Sequence, residues 1–358
     1  TLSERGAAGV DVFFVLSGFL ITGILLDAKG DRYYLRNFYA RRVLRTFPLY
    51  YAVVFFSLVL LPRIAPLWVA GFPVSTREAF AYWLQLSNFV VARRGAFVHR
   101  ILDVSWSLAI EEQFYLFWPF VVLGSSWVTL RRWCIGLVIV SCLNRIVLTV
   151  QGGHSIGVYT LTFCRLDGLA LGALTALAVR SRSRLELDRI RALAWITGIA
   201  LALASFMPSG TVWVRVTPSS SFAAVDLFRA GFFDTAIGLL GVALVLESVS
   251  PGARVVSSFL KLGALRTLGR FSFALYLFHY PLMTVLRSTV LERTGVPLFL
   301  GSSLPMQLAF DATGIGISLA FAVCSWHGYE THFLRIKRYF EPSGAPVSAL
   351  VPANEREA

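Results

Sequence analysis

The sequence is poor in charge. Only 15% of its 358 residues are Asp, Glu, Lys or Arg, where a soluble domain carries about a quarter. Lys occurs three times, so the basic residues are almost all Arg. The four cysteines (Cys134, Cys142, Cys164 and Cys324) form no Cys-x-x-Cys pair and no zinc spacing. All four lie in apolar stretches, which makes them small core residues rather than a disulfide framework or a metal centre. No cluster of His, Cys and carboxylates has ligand spacing, so no metal is expected. There is no repeat of 20–50 residues, no low-complexity tract and no soluble domain. No Met precedes Met207.

What is present is apolar surface: 56% hydrophobic residues and a mean hydropathy of +0.67. Stretches long enough to cross roughly 30 Å of hydrocarbon recur at about 10–26, 47–62, 104–124, 133–150, 162–179, 192–207, 231–248, 271–290 and 306–327. The fold class is therefore an all-α integral membrane protein, a polytopic helical bundle with nine visible spans over residues 1–340. The Pro- and Ala-rich tail 341–358 is expected to be disordered.

The net charge of +13 would suggest nucleic acid in a soluble chain. In a membrane protein its distribution matters more, because short cytoplasmic loops collect Lys and Arg. With nine spans, one side holds Lys29, Arg32, Arg36, Arg41, Arg42 and Arg45, then Arg131 and Arg132, then the Arg-rich stretch 180–191. Arg254, Lys261, Arg266, Arg270 and the C-terminal Arg335, Lys337 and Arg338 follow on the same side. A tenth apolar stretch, AFAYWLQLSNFVV (79–91), would invert every later loop if it spanned, so it reads as a re-entrant or interfacial element. The C-terminus is then cytoplasmic and Thr1 lies outside. An outward start without a signal peptide, and without an initiating Met, leads us to expect a further helix before residue 1.

Ionisable groups inside spans cost roughly 2.5–3.5 kcal/mol on insertion scales and need partners. In VSWSLAIEEQFYLFWPF (104–120), Ser107, Glu111 and Tyr115 recur every four residues on one face, with Trp118 three further on. Glu112 lies about 100° away among Leu108, Ala109 and Leu116. Glu111 thus belongs to a polar stripe, either in a site or paired with an intramembrane Arg such as Arg145 or Arg165, while Glu112 is expected to pair elsewhere. Pro119 should kink or end this helix. In 270–282, Ser272, Tyr276 and His279 share a face, and His is the side chain suited to moving a proton near neutral pH. His99, His154, His327 and His332 read as loop or helix-end residues. Arg42 and Arg45, three apart in the basic loop leading to the second span, suit a phosphate as well as the membrane surface. Asp11 sits near the outer end of the first span. Arg165 and Asp167 are two apart and cannot face each other, so each needs a partner on another helix. Gly168 and Gly172 read as a close helix–helix contact.

Taken in order, GVDVFFVLSGFLIT (9–22), FYARRVLRTFPLYY (38–51), SWSLAIEEQFYLFWP (105–119), CRLDGLALGAL (164–174), FSFALYLFHYPL (271–282) and YETHFLRIKRYF (329–340) resemble the membrane-bound acyltransferase family 3. The resemblance spans nearly the whole chain. It implies a ten-helix bundle in the inner (plasma) membrane that passes an acyl group from cytoplasmic acyl-CoA to a hydroxyl of a sugar, polysaccharide or glycosylated acceptor. Acyl-CoA is then a co-substrate, with no permanently bound cofactor and no nucleic-acid partner. Arg42 and Arg45 match the family's Arg-x-x-Arg motif, Glu111 its Ser-Leu-x-x-Glu acid, and His279 the His of Tyr-x-x-His-x-Pro. Catalytic roles are thereby expected for Glu111 and His279, with Asp11, Ser107, Tyr115, Arg165, Asp167 and Tyr276 in support. The family's first helix, with an Arg and a catalytic His eleven residues later, would precede residue 1, and without it the chain is expected to be impaired. A transporter or flippase of lipid-linked sugars, or a non-catalytic membrane partner, would suit intramembrane charges equally.

Overall fold

The computed structural model describes residues 2–66, 71–97, 99–207, 213–217, 220–249, 258–259, 262–287 and 304–340. The expected disordered tail, the loop residues Arg254 and Lys261, and the end of the 271–290 span lie outside them. The described residues are almost entirely helical: α1 (Leu2–Asp27), α2 (Tyr34–Phe55, running on through the π-helical turn Phe56–Leu60 to Ile64), α3 (Thr76–Trp83), α4 (Ser87–Arg94), α5 (Ser105–Gly124), α6 (Trp127–Val150), α7 (Ser155–Thr160), α8 (Leu166–Ser181), α9 (Arg184–Ser205), α10 (Ala224–Val249), α11 (Gly263–Leu286) and α12 (Leu304–Ser325). Past α12 the chain stays helical to Phe340. A two-stranded antiparallel ribbon, β1 (Trp213–Thr217) and β2 (Ser220–Ala223), departs from the all-α expectation.

As far as the described residues reach, each expected apolar stretch falls on one helix. By length and composition five of the described helices are apolar enough to cross a membrane: Ala8–Asp27, Tyr34–Ile64, Trp127–Val150, Ala224–Val249 and Pro305–Phe340. Of the others, α8 has 16 residues, and α9 opens on a charged first turn capped by Ser183, whose hydroxyl accepts from Glu186 N. Outward faces carry Leu116, Phe117, Phe120, Ile139, Leu143, Ile196, Leu203 and Ile315, all exposed. Apolar side chains on the outside of a bundle are what hydrocarbon requires and water penalises.

The 79–91 stretch forms no continuous span. It breaks into α3 and α4 at Gln85, whose φ of 57° no helix tolerates. Glu78 caps α3 and is clamped by Arg93 and Arg94 at 2.7 and 2.6 Å. The hydrogen bond from Arg94 leads the causes that hold its carboxyl down to about 2. His99, in the loop after α4, is buried and structural: its Nδ1 accepts the Leu102 N–H at 3.0 Å, and burial pushes its pKa down to about 4.

Two expectations on helix ends need correction. The second span does not begin near residue 47: α2 starts at Tyr34, so Arg41, Arg42 and Arg45 stand on a helix rather than in a loop. Their charge hid the helix from a hydropathy reading. Of the two outcomes expected at Pro119, a kink or an end, the end is the one corrected: α5 continues to Gly124. Tyr39 and Tyr34 of α2 donate to the carbonyls of Leu116 and Pro119 at 2.7 and 3.1 Å, tying α2 to this segment.

The tightest packing is between α1 and α8. Gly172 faces the backbone of Val15 and Phe19, and an added Cβ would sit 2.6 Å from the Phe19 nitrogen. On the other side Gly18 faces the Leu169 backbone, where a Cβ would sit 2.9 Å from the Leu169 Cα. This bears out the small-residue contact read from Gly168 and Gly172. α10 packs on α1, α6, α8 and α9, while α11 and α12 pair with each other and meet α2. We expect Gly18→Leu to cost more than the about 1–3 kcal/mol of an ordinary overpacked core, because backbone must move. Gly124→Ala, which meets open space, should leave stability unchanged. Melting of both variants in detergent is the measurement, and equal melting temperatures would refute the contact.

Candidate functional site

A cavity of about 600 Å³ opens between α1, α2, α5 and α11. The face of α1 that lines it runs Val10, Phe13, Ser17, Leu20 and Ile24, with Ala28 just past the helix end. Steps of three and four residues keep one helix face turned inward, and the 14 residues of rise from Val10 to Ile24 follow the cavity for roughly 21 Å. One end is basic, with Arg41, Arg45 and Lys337 beside Asp31 and Asn37. The far end holds Phe13, Ser272, Tyr276 and His279.

Midway, α2 and α5 bring charges together. The Arg42 guanidinium lies 3.8 Å over the Tyr115 ring, with Nη2 3.9 Å from Glu111 Oε2 and Nε 3.6 Å from Glu112 Oε1. Glu111 is 2% exposed and its Oε1 is buried with no hydrogen-bond partner among the described residues. Tyr115 is tied by its hydroxyl to Ser17 of α1, and Trp118 donates to Thr22 of α1 at 2.8 Å. The helical stripe on α5 is therefore real, and it is anchored to α1 through Tyr115 and Trp118. Glu111's partner, however, is neither Arg145 nor Arg165. Glu112 does not pair elsewhere: Arg42 arrives from another helix and reaches both acids at once. Spacing along α5 could not show that.

The two polar stripes, read separately from the sequence, meet. Ser107 of α5 and Tyr276 of α11 share a hydrogen bond at 2.5 Å, and the Tyr276 hydroxyl also donates to the Val104 carbonyl at 3.1 Å. Phe13 stacks on the Tyr276 ring, 6.3 Å between centroids. His279 Nδ1 lies 2.7 Å from the Tyr276 carbonyl. A carbonyl only accepts, so Nδ1 carries the proton in the neutral ring and Nε2 keeps its lone pair. His279, Tyr276, Glu111, Arg42 and Arg45 all line one cavity.

Asp11, Arg165 and Asp167 do not join them. They form a separate cluster among α1, α6, α8 and α10. Arg165 pairs with Asp11 and, at 2.5 Å, with Asp234. Asp167 pairs with Arg145 at 2.9 Å and accepts from Thr235 at 2.5 Å. Arg145 also donates to the Gly231 carbonyl at 2.7 Å and the Cys164 carbonyl at 2.5 Å. As expected, Arg165 and Asp167 each find a partner on another helix. Asp234 and Thr235 were missed, although an acid inside the apolar 231–248 stretch was signal enough. Ser17 and Lys337 were also missed, because a lone Ser in a span and a Lys near a tail carry no pattern. Among the described residues no group of three His, Cys, Asp or Glu is placed to hold a metal.

Comparison with known proteins points one way. A family model described as an acyltransferase domain matches residues 3–328. The chain is 33% identical over 358 residues to "Peptidoglycan O-acetyltransferase OatA" of Listeria monocytogenes, covering 96% of this chain and 56% of that protein. It is 30% identical over 307 residues to "Putative peptidoglycan O-acetyltransferase YrhL" of Bacillus subtilis, covering 83% of this chain and 47% of that protein. The chain thus spans about half the length of these curated relatives. No solved structure matches it.

The two charged centres should respond differently to substitution. Asp167→Ala leaves the buried Arg145 unpaired and should destabilise the folded chain by about 3–5 kcal/mol. Glu111→Gln, beside an open cavity, should unfold within about 1 kcal/mol of the parent. Thermal unfolding in detergent distinguishes them; a Glu111→Gln loss as large as that of Asp167→Ala would make Glu111 a structural ion.

Proposed function

Because the chain belongs to the acyltransferase-domain family its model matches, we propose that it is the membrane-embedded acyltransferase part of an O-acetyltransferase, moving an acetyl or other short acyl group from cytoplasmic acyl-CoA to a carbohydrate hydroxyl. Peptidoglycan is the acceptor class, a reading supported by the names of the two relatives. In this reading the nine long helices among the described residues cross the plasma membrane, the basic end of the cavity opens to the cytoplasm, and the C-terminus is cytoplasmic. The positive-inside distribution of the loops supports that orientation.

The observation that carries the reading is Glu111: a buried carboxylate with a partnerless oxygen on the wall of a cavity whose mouth is basic. An acceptor-only oxygen so placed awaits a donor, and a sugar hydroxyl brings one. Basic side chains at the mouth suit the phosphates of coenzyme A, and the apolar face of α1 suits the uncharged arm between phosphates and thioester. The hydroxyl oxygen attacks the thioester carbonyl carbon, the C–O bond forms, the C–S bond breaks and the thiolate leaves. Among the described residues the group fit to take the hydroxyl proton is His279, through the Nε2 lone pair, and to return it to the departing thiolate. Glu111 orients the hydroxyl or the imidazolium, and Tyr276 with Ser107 holds the His279 turn in place.

Full-length protein in vesicles, given radiolabelled acetyl-CoA and soluble peptidoglycan fragments, should transfer label to the fragments. Glu111→Gln should abolish transfer while the protein still inserts. His279→Gln should lose about 10²-fold or more; full activity would place the base elsewhere, on the preceding helix that the family resemblance leads one to expect. Label that stays on acetyl-CoA with the parent protein would remove the donor from the reading.

A further inference from the structure

The sequence pairs Arg42 with Arg45 as one anion site, but the structure gives them different neighbours. Three residues apart on α2, both line the cavity, yet Arg42 is drawn inward. Its guanidinium is covered by the Tyr115 ring on one face and faces the two carboxylates Glu111 and Glu112, and its side chain is 17% exposed. One guanidinium faces two acids at once, so its charge is already engaged and it is not free for a phosphate. Arg45 is exposed at the basic mouth, and the acid that acts on it, Glu330, stands beyond ion-pair distance and is bonded to Ser325.

From this we infer that Arg42 is a positioning residue, not a phosphate ligand: it spans Glu111 and Glu112 and, stacked on Tyr115, fixes the direction in which Glu111 meets the reacting groups, leaving the donor's phosphates to Arg45 with Arg41 and Lys337. The stack reaches α1 through the hydroxyl link between Tyr115 and Ser17, so α1, α2 and α5 jointly set the Glu111 carboxylate. A planar guanidinium suits this task and an ammonium does not: only the fork can face two carboxylates while its plane lies on a ring. The 3.6 and 3.9 Å separations, longer than direct hydrogen bonds, leave the Glu111 oxygens room to turn to substrate.

The inference rests on acyl-CoA being the donor, and the test separates the two. In purified full-length protein, coenzyme A binding is measured by calorimetry and acetyl transfer by initial rates, for the parent, Arg42→Lys, Arg42→Gln and Arg45→Ala. Arg45→Ala should weaken coenzyme A binding and raise the acetyl-CoA KM about tenfold, with kcat within about threefold. Arg42→Lys should leave binding and KM within about threefold but lower kcat about 10²-fold, the loss expected when a reacting group is misplaced. Arg42→Gln should behave like Arg42→Lys, or worse, in kcat alone. If both Arg42 variants instead weaken binding as Arg45→Ala does, with kcat kept, the two arginines form one phosphate site and the inference falls while the donor reading stands. If the parent neither binds coenzyme A nor uses acetyl-CoA, the donor reading fails and takes this assignment with it.

Discussion

A buried charge in an apolar bundle has to be met by its opposite, and that demand organises this molecule around α1. The helix is apolar enough to cross a membrane, yet it carries Asp11 and lies between two groups of charges on its neighbours. On one side Asp11 answers Arg165, which also answers Asp234. On the other, Ser17 and Thr22 secure Tyr115 and Trp118, which frame the Arg42 and glutamate cluster. Were either set unpaired, the low dielectric would make it far more costly than at a surface.

The close contact of α1 and α8 makes this possible. With Gly18 and Gly172 in the seam, the backbones approach until side chains elsewhere along the helices are in reach of each other. Arg165 begins the turn that leads into α8, and Asp167 lies in its first turn. Their partners come from α1, α6 and α10, so four helices share one electrostatic knot. Within the knot Arg145 meets Asp167, Thr235 and two carbonyls, while Arg165 Nε and Nη1 are buried without a hydrogen-bond partner among the described residues. None of Asp11, Arg145, Arg165, Asp167 or Asp234 lines the cavity.

The other centre stands on the wall of the cavity. Glu111 keeps a buried oxygen without a partner, and Arg42 stands off both acids by more than a direct hydrogen bond. The cavity beside them is continuous from the basic mouth to His279. Two clusters of similar composition each keep buried polar atoms without a hydrogen-bond partner, and the one that borders open space is that of Arg42 and the glutamates. The functional reading follows that contrast more than any single motif.

Much of the fold was legible in the sequence, because the cost of putting peptide and charge into hydrocarbon writes long apolar runs and periodic polar stripes directly into it. The long apolar helices of the described residues, the refusal of 79–91 to form one span, the inward faces of α5 and α11 and the glycine seam all follow from such local rules. Helix starts did not follow where charge overlies a helix, as at Tyr34–Thr46, because hydropathy reads composition and not hydrogen bonding. The sequence by itself also determined which side chains share a face: Ser107 with Glu111 and Tyr115, Tyr276 with His279. Only the tertiary structure decided what each face meets. It put Arg42 between Glu111 and Glu112, set Asp11, Arg165 and Asp167 apart from the cavity, and joined Ser107 to Tyr276. Periodicity fixes the angle of a residue about its own helix axis; the partner depends on how a second helix, distant in sequence, is rotated and shifted beside it.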